Sequence, residues 1–328
     1  NPVLVALPML IFMGLMLDQS GVAQRMMHSM QKLFGGLRGG LSITVLLIGI
    51  ILAASTGVIG ASVTLLGVMA LPQMMNQNYS KPIATGTVAS AGTLGILIPP
   101  SIMLVIMSDQ LAISLGDLFM GALFPGLILG ALYIVFIVLF GLVSPNSMPP
   151  PANRQQVSWA EVVEVLKAVV PPLFLILLVL GSIFAGIATP TEASGLGAAG
   201  ATLLALFNGK LSYKVLIEVS RSTLNTSGYI VGIFLAANFF AFVLRRYGGD
   251  ETIEHMVGNA FQDPYMTVAF ILFIVFLLGF LLDWIEITII IMPLMLPIIQ
   301  GLGIAGDIPD FDQVAAPVVT WFAILVAV

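Results

Sequence analysis

Long runs of apolar residues, separated by short polar connections, extend along the whole chain. Four continuous runs cover 2–18, 116–143, 168–187 and 228–244. Each reaches the length of about 17 residues or more that a helix needs to cross the hydrocarbon core of a bilayer. In lipid, every backbone polar group has to be hydrogen-bonded within the chain, so these runs predict membrane-spanning α-helices. The pattern indicates an all-α polytopic membrane protein that lies in a lipid bilayer.

Two further apolar regions, 41–75 and 265–300, are each interrupted by a polar segment. The first interruption is Ser-Thr-Gly-Val-Ile-Gly-Ala-Ser at 55–62, and the second is Asp-Trp-Ile-Glu-Ile-Thr at 283–288. The arms of the first region are each well short of the about 20 residues of a crossing helix. We interpret both regions as re-entrant helical hairpins with polar tips. The alternative is a continuous, kinked span whose ends lie on opposite sides of the membrane.

The apolar segment 83–107 predicts a helix that is broken in the middle. It contains Gly-Thr-Leu-Gly-Ile-Leu-Ile-Pro-Pro-Ser at 92–101. Proline removes a backbone donor, and the residue before a proline is pushed out of helical geometry. Freed carbonyls and hydroxyls are good ligands for a small hard cation, and the N-terminus of a half-helix attracts an anion. The segment predicts a binding site, with a simple packing kink as the alternative.

Basic residues are unevenly distributed between the connections. If 19–40 lies inside and both interrupted regions are hairpins, nine of the eleven Lys and Arg residues fall inside. Only Arg245 and Arg246 then fall outside, as the positive-inside rule requires. This threading makes the first hairpin enter from the cytoplasm and the second from the opposite side.

The two ends of the chain share one layout. The order of span, polar connection, interrupted region, loop and long helix fits 2–107 and again 228–328. Inverted repeats with discontinuous helices are the layout of secondary transporters. We predict a first repeat over 1–110, connecting scaffold helices over 111–227 and a second, truncated repeat over 228–328.

Composition narrows the function further. Of the 328 residues, 59% are hydrophobic and 8% are charged, against about 25% charged in a soluble domain. The absence of cysteine excludes disulfides and thiolate metal sites. The chain has no P-loop, so no ATP engine of its own, and no basic aromatic surface that would suggest nucleic acid. His28 and His255 lie in polar connections, and no nucleophile–His–acid set occurs within the membrane, so we do not expect an enzyme.

The first tip offers neutral oxygen ligands. Ser55, Thr56 and Ser62 supply hydroxyls, and Gly57 and Gly60 allow carbonyls to be exposed. Such hard ligands without a carboxylate favour Na⁺ over Ca²⁺. The alternative is that the hydroxyls are local helix caps.

The second tip carries Asp283 and Glu286, which we treat as the only carboxylates deep in an apolar context. Intramembrane ionisable residues are costly and usually functional. Asp283 could coordinate a cation or cap the second arm, and Glu286 could act as a proton carrier.

Two polar connections contain signals for helix formation. The run Thr189-Pro190-Thr191-Glu192 reads as a capping box, with Glu192 as a ligand the minority alternative. The amphipathic stretch Trp159–Lys167 predicts a separate surface helix.

At these residues the sequence resembles the large membrane subunit of a TRAP (tripartite ATP-independent periplasmic) transporter. The resembling segments are Leu-Phe-Gly-Gly-Leu-Arg-Gly-Gly-Leu at 33–41, Ser55–Ser62, Gly92–Ser101, Ala188–Ser194 and Asp283–Pro297. The resemblance implies an elevator-type fold and Na⁺-driven uptake of an organic acid in a bacterial inner membrane. It also implies two partners, a periplasmic substrate-binding protein and a small four-helix membrane subunit.

The resemblance also implies the site residues. The first Na⁺ site would use the tip at Ser55–Ser62 together with Gly92, Thr93, Gly95 and Pro99. The second would use Asp283, Glu286 and Thr288, and the substrate would lie against Thr93, Pro100 and Ser101.

The sequence departs from the family by ending early, because the Thr-Pro-Pro motif of the family's second break does not occur in it. The sequence also starts without Met and stops inside an apolar run, so we expect a fragment truncated at both ends, with a further broken helix beyond Val328. Three rival functions remain open: an inverted-repeat symporter that works without a binding protein, an ion channel, and an intramembrane enzyme that uses Asp283 and Glu286.

Overall fold

The computed structural model describes residues 2–34, 36–56, 59–150, 158–258, 261, 263–302, 304 and 316–328. The described residues form helices and connections, with no strand among them. Within these described ranges, five helical segments are long and apolar enough to cross a membrane, or six if the bent pair at the start of the chain counts as one span. The prediction of an all-α, multi-pass membrane protein is confirmed.

The first two helices form that bent pair. Helix α1 (Pro2–Gln19) and helix α2 (Val22–Phe34) meet at an angle of 52°. Gly21, with φ of +74°, provides the turn, in a left-handed conformation that glycine adopts without steric cost. Helix α2 is amphipathic and buries its methionine-rich face. Since α2 covers 13 residues of the polar connection 19–40, most of this connection is helical.

Helices α3 (Gly40–Thr56) and α4 (Ile59–Asn76) are the arms of the first interrupted region. They contact each other, and both pack along helix α5 (Lys81–Leu97). The turn before α5 is held in place by Tyr79, whose hydroxyl accepts the backbone N–H of Leu41 at 3.3 Å. Burial raises the pKa of Tyr79, so this hydroxyl stays protonated at neutral pH.

The predicted broken helix is present. Helix α5 ends at Leu97 and helix α6 (Ile102–Leu111) begins five residues later, and the four residues between them, 98–101, are not helical. The position of the break is therefore confirmed at the double proline. Both prolines are buried.

Four long helices occupy the middle of the chain, with a 3₁₀ turn at Pro145–Ser147 after the first of them. These helices are α7 (Leu115–Val143), α8 (Trp159–Phe184), α9 (Pro190–Phe207) and α10 (Tyr213–Arg246). The prediction of a separate surface helix over Trp159–Lys167 is wrong, because α8 continues without interruption to Phe184. Helix α8 contains Pro171 and Pro172, and prolines are tolerated in membrane helices because neighbouring helices, side chains and local adjustments satisfy the freed backbone groups.

The last part of the chain contains the second interrupted region. Its elements are α11 (Gly249–Gly258), α12 (Pro264–Leu278), α13 (Trp284–Glu286), a π-helical turn at Ile287–Ile291, α14 (Met292–Gly301) and α15 (Pro317–Ala327). Helix α6 packs against the π-helical turn, α14 and α15. The broken helix thus contacts the first region through α5 and the second through α6.

Candidate functional site

The double proline between α5 and α6 leaves two backbone carbonyls without their helical donors. In a continuous helix, Gly95 and Ile96 would accept from residues 99 and 100, but proline has no N–H to donate. The buried hydroxyl of Ser101 instead donates to the carbonyl of Ile96. Ser101, a predicted substrate ligand, is therefore already bonded to the backbone, and the Gly95 carbonyl is the one that proline leaves open for a ligand.

The start of α4 lies directly against α5. A Cβ atom on Gly92 would be 2.2 Å from Cγ2 of Val63 and 3.0 Å from its amide nitrogen, so only glycine permits this approach. On the other side of α5, Ala91 touches Gly49 of α3 in a similarly close contact. Because Ser62 precedes Val63 and is buried, the structure brings this predicted ligand beside Gly92.

Two other residues of the predicted first Na⁺ site, Gly60 and Thr93, are exposed. Gly60 is exposed and has open space where a Cβ would lie. Thr93 is exposed, and its hydroxyl donates to the carbonyl of Ser90 at 3.0 Å. A hydroxyl that donates one hydrogen bond keeps its lone pairs as acceptors, so Thr93 can still coordinate a cation. Gly57 and the side chains of Ser55 and Thr56 lie outside the described residues.

At the second interruption, Asp283 acts as a helix cap. Its Oδ1 accepts the backbone N–H of Trp284 at 2.9 Å. This bond corresponds to the capping alternative, and the side chain remains exposed. Thr288 is fully buried and donates to the carbonyl of Trp284 at 2.8 Å, next to a π-helical turn. Single π-helical turns are frequent at functional sites.

Glu286 differs from Asp283 in its surroundings. Its Oε2 is buried and has no hydrogen-bond partner within the described part of the chain. A buried carboxylate oxygen without a partner is costly, so this atom is a candidate to receive a cation or a proton. Tyr229 of α10 lies within electrostatic range of both Glu286 and Asp283. We did not predict Tyr229, because the spacing along α10 gives no sign that it would face this tip.

A second carboxylate with a buried oxygen was also missed. Asp18, in the last turn of α1, has a buried Oδ1 without a hydrogen-bond partner among the described residues. The expectation that Asp283 and Glu286 are the only such carboxylates is wrong. The available signal was an acidic residue at the end of an apolar run, which is normally solvated but is covered here by neighbouring elements.

Two structural interpretations of the sequence are confirmed. The hydroxyl of Thr189 accepts the N–H of Glu192 at 3.3 Å, while Glu192 Oε2 accepts the N–H of Thr189 at 2.8 Å. This is the predicted capping box, and it uses Glu192 as a cap. His28 and His255 are both exposed, as expected for polar connections.

These elements define a polytopic α-helical membrane protein with a discontinuous helix, the class to which secondary transporters belong. A family model described as "Tripartite ATP-independent periplasmic transporter, DctM component" matches residues 1–327. The chain therefore belongs to the family of TRAP transporter large permease proteins, which confirms the resemblance seen in its motifs.

Several curated relatives carry names that state a substrate. The C4-dicarboxylate TRAP transporter large permease protein DctM of Pseudomonas aeruginosa is 32% identical over 309 residues, which are 92% of this chain and 70% of the relative. The protein of the same name from Vibrio cholerae is 31% identical, with the same two coverages. The sialic acid TRAP transporter large permease protein SiaM of Vibrio cholerae is 25% identical over 93% of this chain and 70% of the relative.

Proposed function

We propose that this chain is the permease subunit of a sodium-driven secondary transporter that imports an organic acid. The observation that carries the proposal is the position of the broken helix. Its first half packs against one interrupted helix pair and its second half against the other. We infer that polar groups of both interrupted pairs and a freed carbonyl face this break, as at the midplane sites of secondary transporters.

We infer that both interrupted pairs are re-entrant hairpins of inverted repeats. The order of α1 to α5 recurs in α10 to α15, and in both halves an amphipathic helix precedes the interrupted pair. The two hairpins and the broken helix would form the moving domain of an elevator, with 111–227 as scaffold.

Na⁺ is the coupling ion that fits the available ligands best. The first site would draw on Ser62, Thr93 and the Gly95 carbonyl, and the second on Thr288 and the free oxygen of Glu286. Neutral oxygens with at most one carboxylate suit a monovalent hard cation. The ATP-independent character of the family agrees with an ion gradient as the energy source.

The substrate would be an organic anion at the start of α6. The N-terminal end of this half-helix carries a partial positive charge and directs backbone N–H groups toward the break, which Pro100 precedes directly. The family resemblance adds Thr93 as a substrate ligand. The relatives at 31–32% identity make a C4-dicarboxylate the first substrate to test. We propose that a periplasmic binding protein delivers it and that a small membrane subunit covers part of the exposed apolar scaffold, in the inner membrane of a bacterium.

The test is uptake of radiolabelled succinate by the full-length permease and its small subunit in proteoliposomes. Uptake should require both a Na⁺ gradient and the binding protein. Ser62→Ala and Thr93→Ala should each raise the Na⁺ concentration for half-maximal uptake by about ten-fold, which corresponds to about 1.4 kcal/mol and is typical of one lost hydrogen-bonding ligand.

Thr85→Ala is the matched control for Thr93→Ala. Thr85 is also an exposed threonine on α5, and its hydroxyl also donates to a carbonyl of its own helix, at 2.9 Å, but it lies three turns before the break. Its loss should leave the Na⁺ dependence unchanged. Uptake that proceeds equally well in K⁺, or without the binding protein, would contradict the proposal.

The buried, unpartnered Oε2 of Glu286 supports a second candidate, coupling to protons. In that case Glu286→Gln, which cannot release a proton, should abolish uptake driven by a pH gradient imposed without Na⁺. If no pH-driven uptake exists in the unchanged protein, this candidate is excluded while the sodium proposal stands.

A further inference from the structure

A cleft opens between α2 and α8, away from the broken helix. Its volume is about 350 Å³, and it is lined mainly by Gln24, Arg25, His28, Ser29, Glu164 and Lys167. The cleft lies between the amphipathic helix α2 and the first turns of α8, and a cleft between an interfacial helix and the end of a membrane-crossing helix is expected at the boundary between headgroups and hydrocarbon.

The cleft has an excess of positive charge. Glu164 is its one acidic lining residue, and it pairs with Lys32 at 3.2 Å. Arg25 is held by neutral oxygens, because its guanidinium donates to the side chain and the backbone carbonyl of Asn208 at 2.6 and 3.4 Å. With Glu164 neutralised by Lys32, the charges of Arg25 and Lys167 are left for an anion.

Lys167 is the better of the two for a test. Arg25 also lines a second cavity, of about 520 Å³, whose wall includes Asp18 and Lys210. Lys167 lines the α2–α8 cleft but not the second cavity, and its side chain is exposed. Changing Lys167 therefore alters the charge of the cleft without affecting the Asn208 contacts of Arg25.

An apolar stripe on α8 leads away from Lys167. Val170 and Phe174 follow it by three and seven residues, and Leu177 continues the same face. Their side chains are 51%, 64% and 65% exposed. At the other end of this helix segment, Trp159 is also exposed, as aromatic residues at a membrane interface are.

We propose that the α2–α8 cleft binds the phosphate of an anionic phospholipid, with one acyl chain along the Val170–Phe174–Leu177 stripe. Basic pockets between membrane helices bind anionic headgroups in this way. A soluble phosphate would use only the charges, whereas a lipid uses both the charges and the stripe that begins beside them. The site is separate from the proposed transport site and does not depend on it.

The experiment is native mass spectrometry of the full-length permease, purified in mild detergent with the subunits that accompany it. The protein is stripped of lipid and titrated with phosphatidylglycerol or with phosphatidylcholine of the same acyl chains. Phosphatidylglycerol should bind at least about five-fold more tightly, since one basic residue near the membrane surface changes the affinity for an anionic lipid by about that factor.

Variants separate the cleft from general attraction. Lys167→Gln should lower the phosphatidylglycerol affinity about five-fold, and Lys167→Arg should restore it. Lys214→Gln is the matched control, because Lys214 is an exposed lysine of α10 outside the cleft, and it should have no effect. Excess inorganic phosphate should not displace the lipid.

Four outcomes would overturn the proposal. Equal binding of the two lipids would leave no role for the basic residues. An unchanged affinity in Lys167→Gln would place the lipid elsewhere, and displacement by inorganic phosphate would indicate a soluble anion. Absence of bound lipid when another subunit is present would show that a protein covers the stripe.

Discussion

At the scale of single residues, close contacts around α5 determine how the first interrupted pair is seated. Gly92 lies so near Val63 that a single methyl group would overlap both its side chain and its backbone nitrogen. Gly86, one and a half turns earlier on the same helix, has open space at the equivalent position. The two glycines look alike in the sequence, and only one of them is needed for packing.

Gly92→Ala should therefore push α4 away from α5 and destabilise the protein by about 1–3 kcal/mol, the usual effect of overpacking. It should also impair Na⁺-dependent uptake, since Ser62 moves with α4. Thermal unfolding of the purified variant measures the first effect and proteoliposome uptake the second. Gly86→Ala should be neutral in both, and a Gly92→Ala variant as stable as Gly86→Ala would refute the close contact.

The cap of α9 allows a second test on one residue. Thr189→Ala removes an acceptor for the Glu192 N–H and should lower stability by about 1 kcal/mol. Thr189→Ser keeps the oxygen and should lose little of this stability. The thermal unfolding midpoints of the three proteins give the comparison, and transport at low temperature should be unaffected, because Glu192 serves as a cap and not as a ligand.

At the scale of elements, the broken helix combines two opposing effects. Pro99 and Pro100 remove backbone donors, and Ser101 returns one hydrogen bond to the carbonyl of Ile96. Helix α8 contains an equally close pair, Pro171 and Pro172, and is not interrupted. A double proline is thus insufficient to break a membrane helix, and the segment around Pro99 differs in having Gly92 and Gly95 before it and Ser101 after it.

Replacing both Pro99 and Pro100 by Ala should let α5 and α6 close their hydrogen bonds and withdraw the Gly95 carbonyl from ligands. The variant should insert at normal levels and lose at least about 90% of uptake, as expected for a loss of more than about 1.4 kcal/mol in ion binding. Pro125→Ala is the control, because Pro125 lies inside the continuous helix α7. Normal uptake by a well-expressed double variant would contradict the assigned role of the break.

At the scale of the whole molecule, the amphipathic helices α2 and α11 report on membrane topology. Both follow a long apolar helix and precede an interrupted pair. If the two halves are inverted repeats, as we propose, these helices should lie on opposite membrane surfaces, with α2 cytoplasmic and α11 periplasmic. A chemical label that reports the side of α2 needs an exposed residue. Ser29 is only 3% exposed and donates to the Arg25 carbonyl, whereas His28 is exposed and is therefore the better position.

Cysteines introduced at His28 and at His255 should therefore react with an impermeant maleimide from opposite sides. The chain has no cysteine of its own, so the background is low. In intact cells with a permeable outer membrane, His255→Cys should be labelled at once and His28→Cys only after the inner membrane is opened. Labelling of both from one side would exclude inverted repeats.

Local features of the sequence were sufficient for much of the fold. The apolar runs, the break at Pro99–Pro100 with its flanking glycines and serine, and the capping box at Thr189 depend on residues that lie close together in the sequence, so they can be predicted from local backbone chemistry. Ligand candidates such as Ser62 and Thr288 were found for the same reason, because polar residues inside an apolar run are visible without a structure.

Contacts between distant segments decided the rest. The contact of Gly92 with Val63, the position of Tyr229 near Glu286 and the buried oxygen of Asp18 all depend on how separate helices pack. The same holds for the uninterrupted course of α8 past two prolines and for the cleft that it forms with α2. Sequence patterns along one helix specify which face is apolar, but every membrane helix here is apolar on most faces, so only tertiary packing selects the neighbour that each face meets.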